Sequence, residues 1–136
     1  MLKGLLLFSM VFMSSLSFAG LVPGDRVLGS GSDRGSECSF KIERIQTNSI
    51  QLSGVILGSR LRSAQFDVLT SFEKYGRKIS LYSGPTFTSS DGKTTTSYSI
   101  EMDKNQNIFR FDRNIWKGSS GIQRISNSAC TSFRKD

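Results

Sequence analysis

The chain has 136 residues, 18 basic and 11 acidic side chains, a formal charge of +7 and no histidine. Without histidine there is no His-type zinc site, no Ser-His-Asp or Cys-His nucleophilic machinery and no imidazole pH sensor. Its two cysteines are too few for a four-cysteine zinc site or a fully cysteine-ligated iron–sulfur cluster within one chain, and no metal or other cofactor is expected.

Lys3 precedes an apolar run from Gly4 to Met13, which leads to Ser17-Phe18-Ala19. Small side chains at Ser17 and Ala19 suit the pockets of a signal peptidase, so residues 1–19 are expected to be an export signal cleaved before Gly20. The apolar run is too short to cross roughly 30 Å of hydrocarbon at about 1.5 Å per residue. A secreted or periplasmic protein that does not span the membrane is therefore expected. Its 117 residues carry 17 basic and 11 acidic side chains, a net +6, and are enough to build one core. Export also places the cysteines in an oxidising compartment. Cys38 and Cys130 stand 92 positions apart, unlike a redox Cys-x-x-Cys pair, and are expected to form one structural disulfide.

After residue 19 there are only two alanines and four glutamates, against 22 isoleucines, valines and threonines. Such a composition fits pleated sheet with serine- and glycine-rich turns. Residues 20–35 end in Gly29-Ser30-Gly31-Ser32-Asp33-Arg34-Gly35 and read as a flexible Gly/Ser-rich lead-in. This is no nucleotide loop, because no strand clearly precedes it and no helix follows to meet a phosphate. Residues 36–136 then form a single β domain.

In the first strand of that domain Cys38, Phe40 and Ile42 share one face, with Lys41 and Glu43 opposite. After a turn at Thr47-Asn48-Ser49, Ile50, Leu52 and Ile56 make a second strand, interrupted by Gly54. Phe66, Val68 and Phe72 alternate with polar residues in a third. Residues 63–75 also place Ala64, Val68, Leu69, Phe72 and Tyr75 near helical spacing, but threonine, serine, valine and phenylalanine are weak helix formers, and strand is preferred. A turn at Lys74-Tyr75-Gly76-Arg77 leads to Ile79 and Leu81. Asp91-Gly92 signals a two-residue hairpin. Tyr98, Ile100 and Met102, then Phe109 and Phe111, then Ile122, Ile125 and residues 130–133 complete the series. Seven to eight short strands imply an all-β fold, a small antiparallel meander closed as a barrel or folded as a sandwich. A bridge from first strand to last favours closure, since bonded cysteines hold their Cα atoms within about 7 Å.

The carboxylates stand mostly in turns or opposite the apolar face, often beside a basic neighbour, as in Asp25-Arg26, Glu43-Arg44 and Asp112-Arg113. They read as solvated ion pairs rather than two carboxyls facing one another across a sugar. Ser-x-x-Lys occurs at Ser71/Lys74, Ser90/Lys93 and Ser132/Lys135, a spacing that brings serine and lysine together only on a helix. No catalytic residue is expected. Ile115-Trp116-Lys117 holds the only tryptophan, expected as a core anchor at a strand end.

The basic balance is the one functional signal with physical content. Arg60 and Arg62 share a strand face, and Arg77, Lys78, Arg110 and Arg113 add to them as candidate contacts to an anionic surface, with Lys117, Arg124, Arg134 and Lys135 beyond. A charge of this size also lies within the range that serves solubility alone. The expected protein is an exported, non-catalytic binding protein. Its partner would be an anionic envelope polymer or another extracytoplasmic protein, with no nucleic acid. The alternative is a small β-barrel carrier, its phenylalanines lining a cavity for an apolar ligand instead of filling it.

Overall fold

A computed structural model describes residues 20–31, 37–119 and 122–136; the expected export signal lies outside them. Eight strands follow in chain order: β1 (Arg26–Gly31), β2 (Glu37–Gln46), β3 (Ser49–Ile56), β4 (Ser59–Lys74), β5 (Arg77–Thr88), β6 (Thr94–Asp103), β7 (Ile108–Lys117) and β8 (Arg124–Lys135). Each pairs antiparallel with the next, and β8 returns to β1, so the meander is a closed barrel and not a sandwich. Closure gives every strand two neighbours, although the β3–β4 ladder ends at Asp67 and the β4–β5 ladder at Ser83, so the last residues of β4 and β5 run past their partners on one side.

Alternation sets the interior. Cys38, Phe40 and Ile42 from β2, Ile50, Leu52 and Ile56 from β3, Leu61, Ala64 and Phe66 from β4, Tyr98, Ile100 and Met102 from β6, and Phe111 from β7 are all buried. At the centre Phe111 meets Phe66 and Phe40 edge-on, with ring centroids 5.3 and 5.5 Å apart, the geometry aromatic quadrupoles favour. Residues 63–75 lie in strand, as preferred, apart from Tyr75 in the turn at its end. That turn places Tyr75 and Gly76 at φ +54° and +72°, the left-handed pair of a tight hairpin. The Asp91-Gly92 turn is longer than its two-residue signal. Ser89 N–H donates to the Thr94 carbonyl (2.9 Å) across four intervening residues, with Asp91 accepting from Ser89 Oγ and Lys93 N–H.

Three expectations are corrected. Residues 26–31 are not a flexible lead-in but strand β1, which closes the barrel between β2 and β8. Val27 on this strand is buried. Gly29 has a packing reason: a Cβ there would lie 2.5 Å from the Phe133 ring. Secondly, Phe72 does not share the face of Phe66 and Val68. A register shift after Val68 pairs Val68 with Tyr82 but Phe72 with Ile79; their β6 partners, Ile100 and Asp103, are an odd number of residues apart and so face opposite ways. Thirdly, Trp116 is only half-buried and lies outside the core; its neighbour Ile115 faces inward, and Trp116 donates from Nε1 to Ser97 Oγ (2.9 Å).

The disulfide joins Cys38 and Cys130, with Cα atoms 6.2 Å apart. Their register partners on β1 are Gly29 and Gly31. The bridge therefore clamps the two neighbours of β1 together over a strand with no inward side chains at those positions.

Candidate functional site at the open end of the barrel

The two ends of the barrel differ. In an up-and-down meander the β2–β3, β4–β5 and β6–β7 turns share one end with both ends of the described chain. Residues 20–25 fold across that end. Leu21 is buried, and its N–H donates to the Gln106 carbonyl (3.2 Å). Gly24 N–H donates to the Ile42 carbonyl (2.8 Å), and Ile42 N–H donates back to Asp25 (2.9 Å). Asp25 accepts from Val22 N–H (2.9 Å) and pairs with Lys135 (3.3 Å), which also reaches the Gly20 carbonyl. The Val22 hydrogen bond first, helped by Lys135, holds the Asp25 carboxyl below its ordinary 3.8 despite some desolvation. This end is plugged.

The opposite end carries the β3–β4, β5–β6 and β7–β8 turns and, among the described residues, is open. A cleft of about 420 Å³ lies there, lined by Ser59, Arg60, Leu61, Phe87, Thr96, Tyr98, Arg113 and Ile115. A second groove of about 690 Å³, along residues 60–65 with Pro85 and Phe87, shares Arg60, Leu61 and Phe87 with it. Leu61 and Tyr98, 3% and 4% exposed, make the floor; Phe87, 52% exposed, stands as a wall with its ring edge-on to Tyr98 at 6.2 Å.

Arg113 reaches this cleft because register places it in the barrel. It pairs with Tyr98, as Phe111 pairs with Ile100 and Ile115 with Thr96, and the β6 partners Tyr98 and Ile100 face the core. Its Nη1 donates to the Leu57 carbonyl (2.6 Å), and its Nε is buried with no hydrogen-bond partner among the described residues. Leu57 is itself unusual, a non-glycine residue at φ +51° in the tight Leu57-Gly58 turn. That conformation costs an L-residue about 1–2 kcal/mol, and the charge-assisted bond from Arg113 stabilises it.

The candidate basic residues fall into three groups. Arg60 and Arg113 line the cleft and Arg60 and Arg62 the groove, and no carboxylate among the described residues contributes to either lining. None of the three forms an ion pair among the described residues. Arg77 and Lys78 lie at the plugged end, in a separate groove with Asp103 and Lys104, and the Arg77 guanidinium sits 5.6 Å from the Phe109 ring centroid. Arg110 is spent on the outer wall, where it bonds Asp112 (2.8 Å) and Asn127 (3.2 Å).

Ion pairing does not follow sequence neighbours, because adjacent residues of a strand face opposite ways. Lys74 pairs with Glu101 (3.1 Å), Arg110 with Asp112 and Lys135 with Asp25. Glu101 and Asp112 are each only 8% exposed, so these two carboxylates are not the fully solvated ones expected. The Ser-x-x-Lys spacings do not assemble a nucleophile. Ser71 bonds Ser80 across the β4–β5 ladder while Lys74 turns to Glu101. Among the described residues no group of three or more Cys, Asp or Glu side chains is placed to hold a metal ion, and no helix is long and apolar enough to cross a membrane.

The aromatic members of the site, Phe87 and Tyr98, were not foreseen as site residues; only the closing of the barrel brings β5 and β6 beside the start of β4. Arg113 was foreseen as a basic contact but not as an inward one. The signal was present, since it continues the alternation of Phe111 two residues on.

Fold and site together define an eight-stranded antiparallel barrel with a packed middle, one plugged end and one open, arginine-rimmed end. No family model matches the chain, and neither a curated protein nor a solved structure matches it.

Proposed function

We propose that this is an exported, non-catalytic binding protein that engages an anionic target through the open end of its barrel. The observation carrying this reading is a cleft lined by Arg60 and Arg113 over an apolar floor, joined at Arg60 to a groove that Arg62 also lines, with no carboxylate among the described residues of either lining. Unpaired cations at a concave surface focus the field toward an anionic partner and raise its encounter rate. Export is supported by the signal-like residues 1–19 and by the Cys38–Cys130 disulfide, which persists in an oxidising compartment. The rival reading places an apolar ligand deep inside the barrel. It needs space that Phe40, Phe66 and Phe111 fill with their rings, so the packed middle favours binding at the rim.

The test compares retention on anionic and neutral vesicles or polysaccharides. Binding to the anionic forms should fall steeply between physiological salt and 1 M, as the screening length shortens from about 8 to about 3 Å. Replacing Arg60 and Arg62 together by glutamine should weaken it with the melting temperature nearly unchanged, since exposed charges contribute little to stability. Equal retention on charged and neutral surfaces would refute the proposal.

A further inference from the structure

The open-end cleft combines two chemistries in one small space. Its floor and wall are apolar and aromatic, from Leu61, Phe87, Tyr98 and Ile115, and its cations are Arg60 and Arg113. At about 420 Å³ it falls in the range of small-molecule sites, which are mostly apolar with a few convergent polar groups. A flat electrostatic contact to a polymer would need the cations but not the recess. A carrier of neutral apolar molecules would need the recess but not the cations.

We infer that the cleft is a seat for a monomeric amphipathic anion, one carboxylate head on an apolar tail. Arg113 is the anchor. Its Nη1 donates one proton to the Leu57 carbonyl and its Nε is buried without a partner among the described residues, so the second Nη1 proton and the Nη2 protons are the donors left for the cleft. The half-buried guanidinium has no carboxylate partner among the described residues. A cation withdrawn from water and left without a counter-charge is costly, and an incoming carboxylate supplies that charge. Arg60, exposed on β4 and lining both recesses, is the second contact. The tail lies on Leu61 and Tyr98 against Phe87, whose exposed ring would gain burial. The bond from Arg113 to Leu57 sets the guanidinium before the ligand arrives, so little ordering remains to oppose binding.

This inference rests on the proposed function and names the ligand class for the same end of the barrel. The experiment titrates the intact exported chain, labelled with nitrogen-15, with octanoate, octan-1-ol, acetate and octyltrimethylammonium below their aggregation concentrations. Octanoate should shift the amides of Leu57, Gly58, Leu61, Phe87 and Ile115. Octanol and acetate, each lacking one half of the ligand, should bind about tenfold or more weakly, as charged hydrogen bonds and buried apolar groups dictate, and the cation should not bind there. Arg60→Gln and Phe87→Ser, both at exposed positions, should each weaken octanoate; Arg113→Lys is the third variant, checked first for folding. Octanoate without effect, shifts scattered around the barrel, or octanol binding as tightly as octanoate would each overturn the inference. If octanoate fails while anionic vesicles still bind in a salt-sensitive, Arg60/Arg62-dependent way, the seat falls and the proposed function stands. Failure of both removes both. Octanoate binding without vesicle binding supports the seat and makes a free small molecule, not a surface, the target.

Discussion

Replacing Cys38 and Cys130 together by alanine removes the bridge over β1. The sulfurs close a loop between residues 92 positions apart, and both cysteines are at most 1% exposed. On the chain-entropy relation a loop of that length is worth about 4–5 kcal/mol against the unfolded state at room temperature. For the 117 residues from Gly20 to Asp136, an unfolding entropy of about 2.1 cal/mol/K per residue turns that loss into a melting temperature lower by about 15–20 °C. Domains of this size have about 5–15 kcal/mol in hand. The double variant should therefore still fold at low temperature, with unchanged far-ultraviolet circular dichroism. Because the effect acts on the unfolded chain, the urea m-value should rise, as an uncrosslinked chain exposes more surface. Urea titrations and thermal melts of the two proteins side by side make the measurement. The native protein, denatured without reductant, should show no free thiol. A loss below about 1 kcal/mol with an unchanged m-value, or two free thiols in the native protein, would refute the reasoning.

Three other outcomes are expected. Gly54→Ala should destabilise the barrel by about 3 kcal/mol or more, because the new Cβ would fall on the Ser39 carbonyl and Phe40 Cα of β2, backbone that has no rotamer to yield; urea titration measures it. The folded Asp25 carboxyl titrates below its ordinary 3.8, so its contribution to the plugged end is complete above that pH and is lost as pH falls through the lower folded value. Hydrogen exchange should accordingly show Leu21 and Gly24 losing protection in acid before Phe40 and Phe66, a step absent in Asp25→Asn. Intact-mass measurement of the exported protein should give a chain beginning at Gly20; a mass retaining residues 1–19 would contradict the expected cleavage.

Much of the barrel was legible because it obeys a period of two. Cys38, Phe40 and Ile42 alternate with exposed or half-exposed neighbours, Tyr98 and Ile100 continue the rule, and buried residues of β2, β3 and β6 follow it closely. The disulfide was legible by elimination, since two cysteines in an oxidising compartment allow only one internal pair. Strand β1 was not legible. Its inward positions after Val27 are glycines, which carry no hydrophobic signal, and their use becomes visible only when Phe133 and the bridge occupy the space above them. The reversal of Phe72 depends on a register shift set by pairing with β5, which no local pattern announces.

The sequence by itself determined the all-β character, the antiparallel meander, the single disulfide and the surplus of positive charge, because composition, alternation and cysteine count are local or additive properties. The tertiary structure decided which end of the barrel is plugged, which arginines converge and which are spent on partners. Arg60, Arg62 and Arg113 are up to 53 positions apart, and only closure of the sheet brings β4 and β7 to one rim. Arg110 has the same chemistry, yet three residues from Arg113 it faces the opposite side of the same strand and is held by Asp112 and Asn127. A charge becomes a contact through what surrounds it, and those surroundings come from residues remote in the chain.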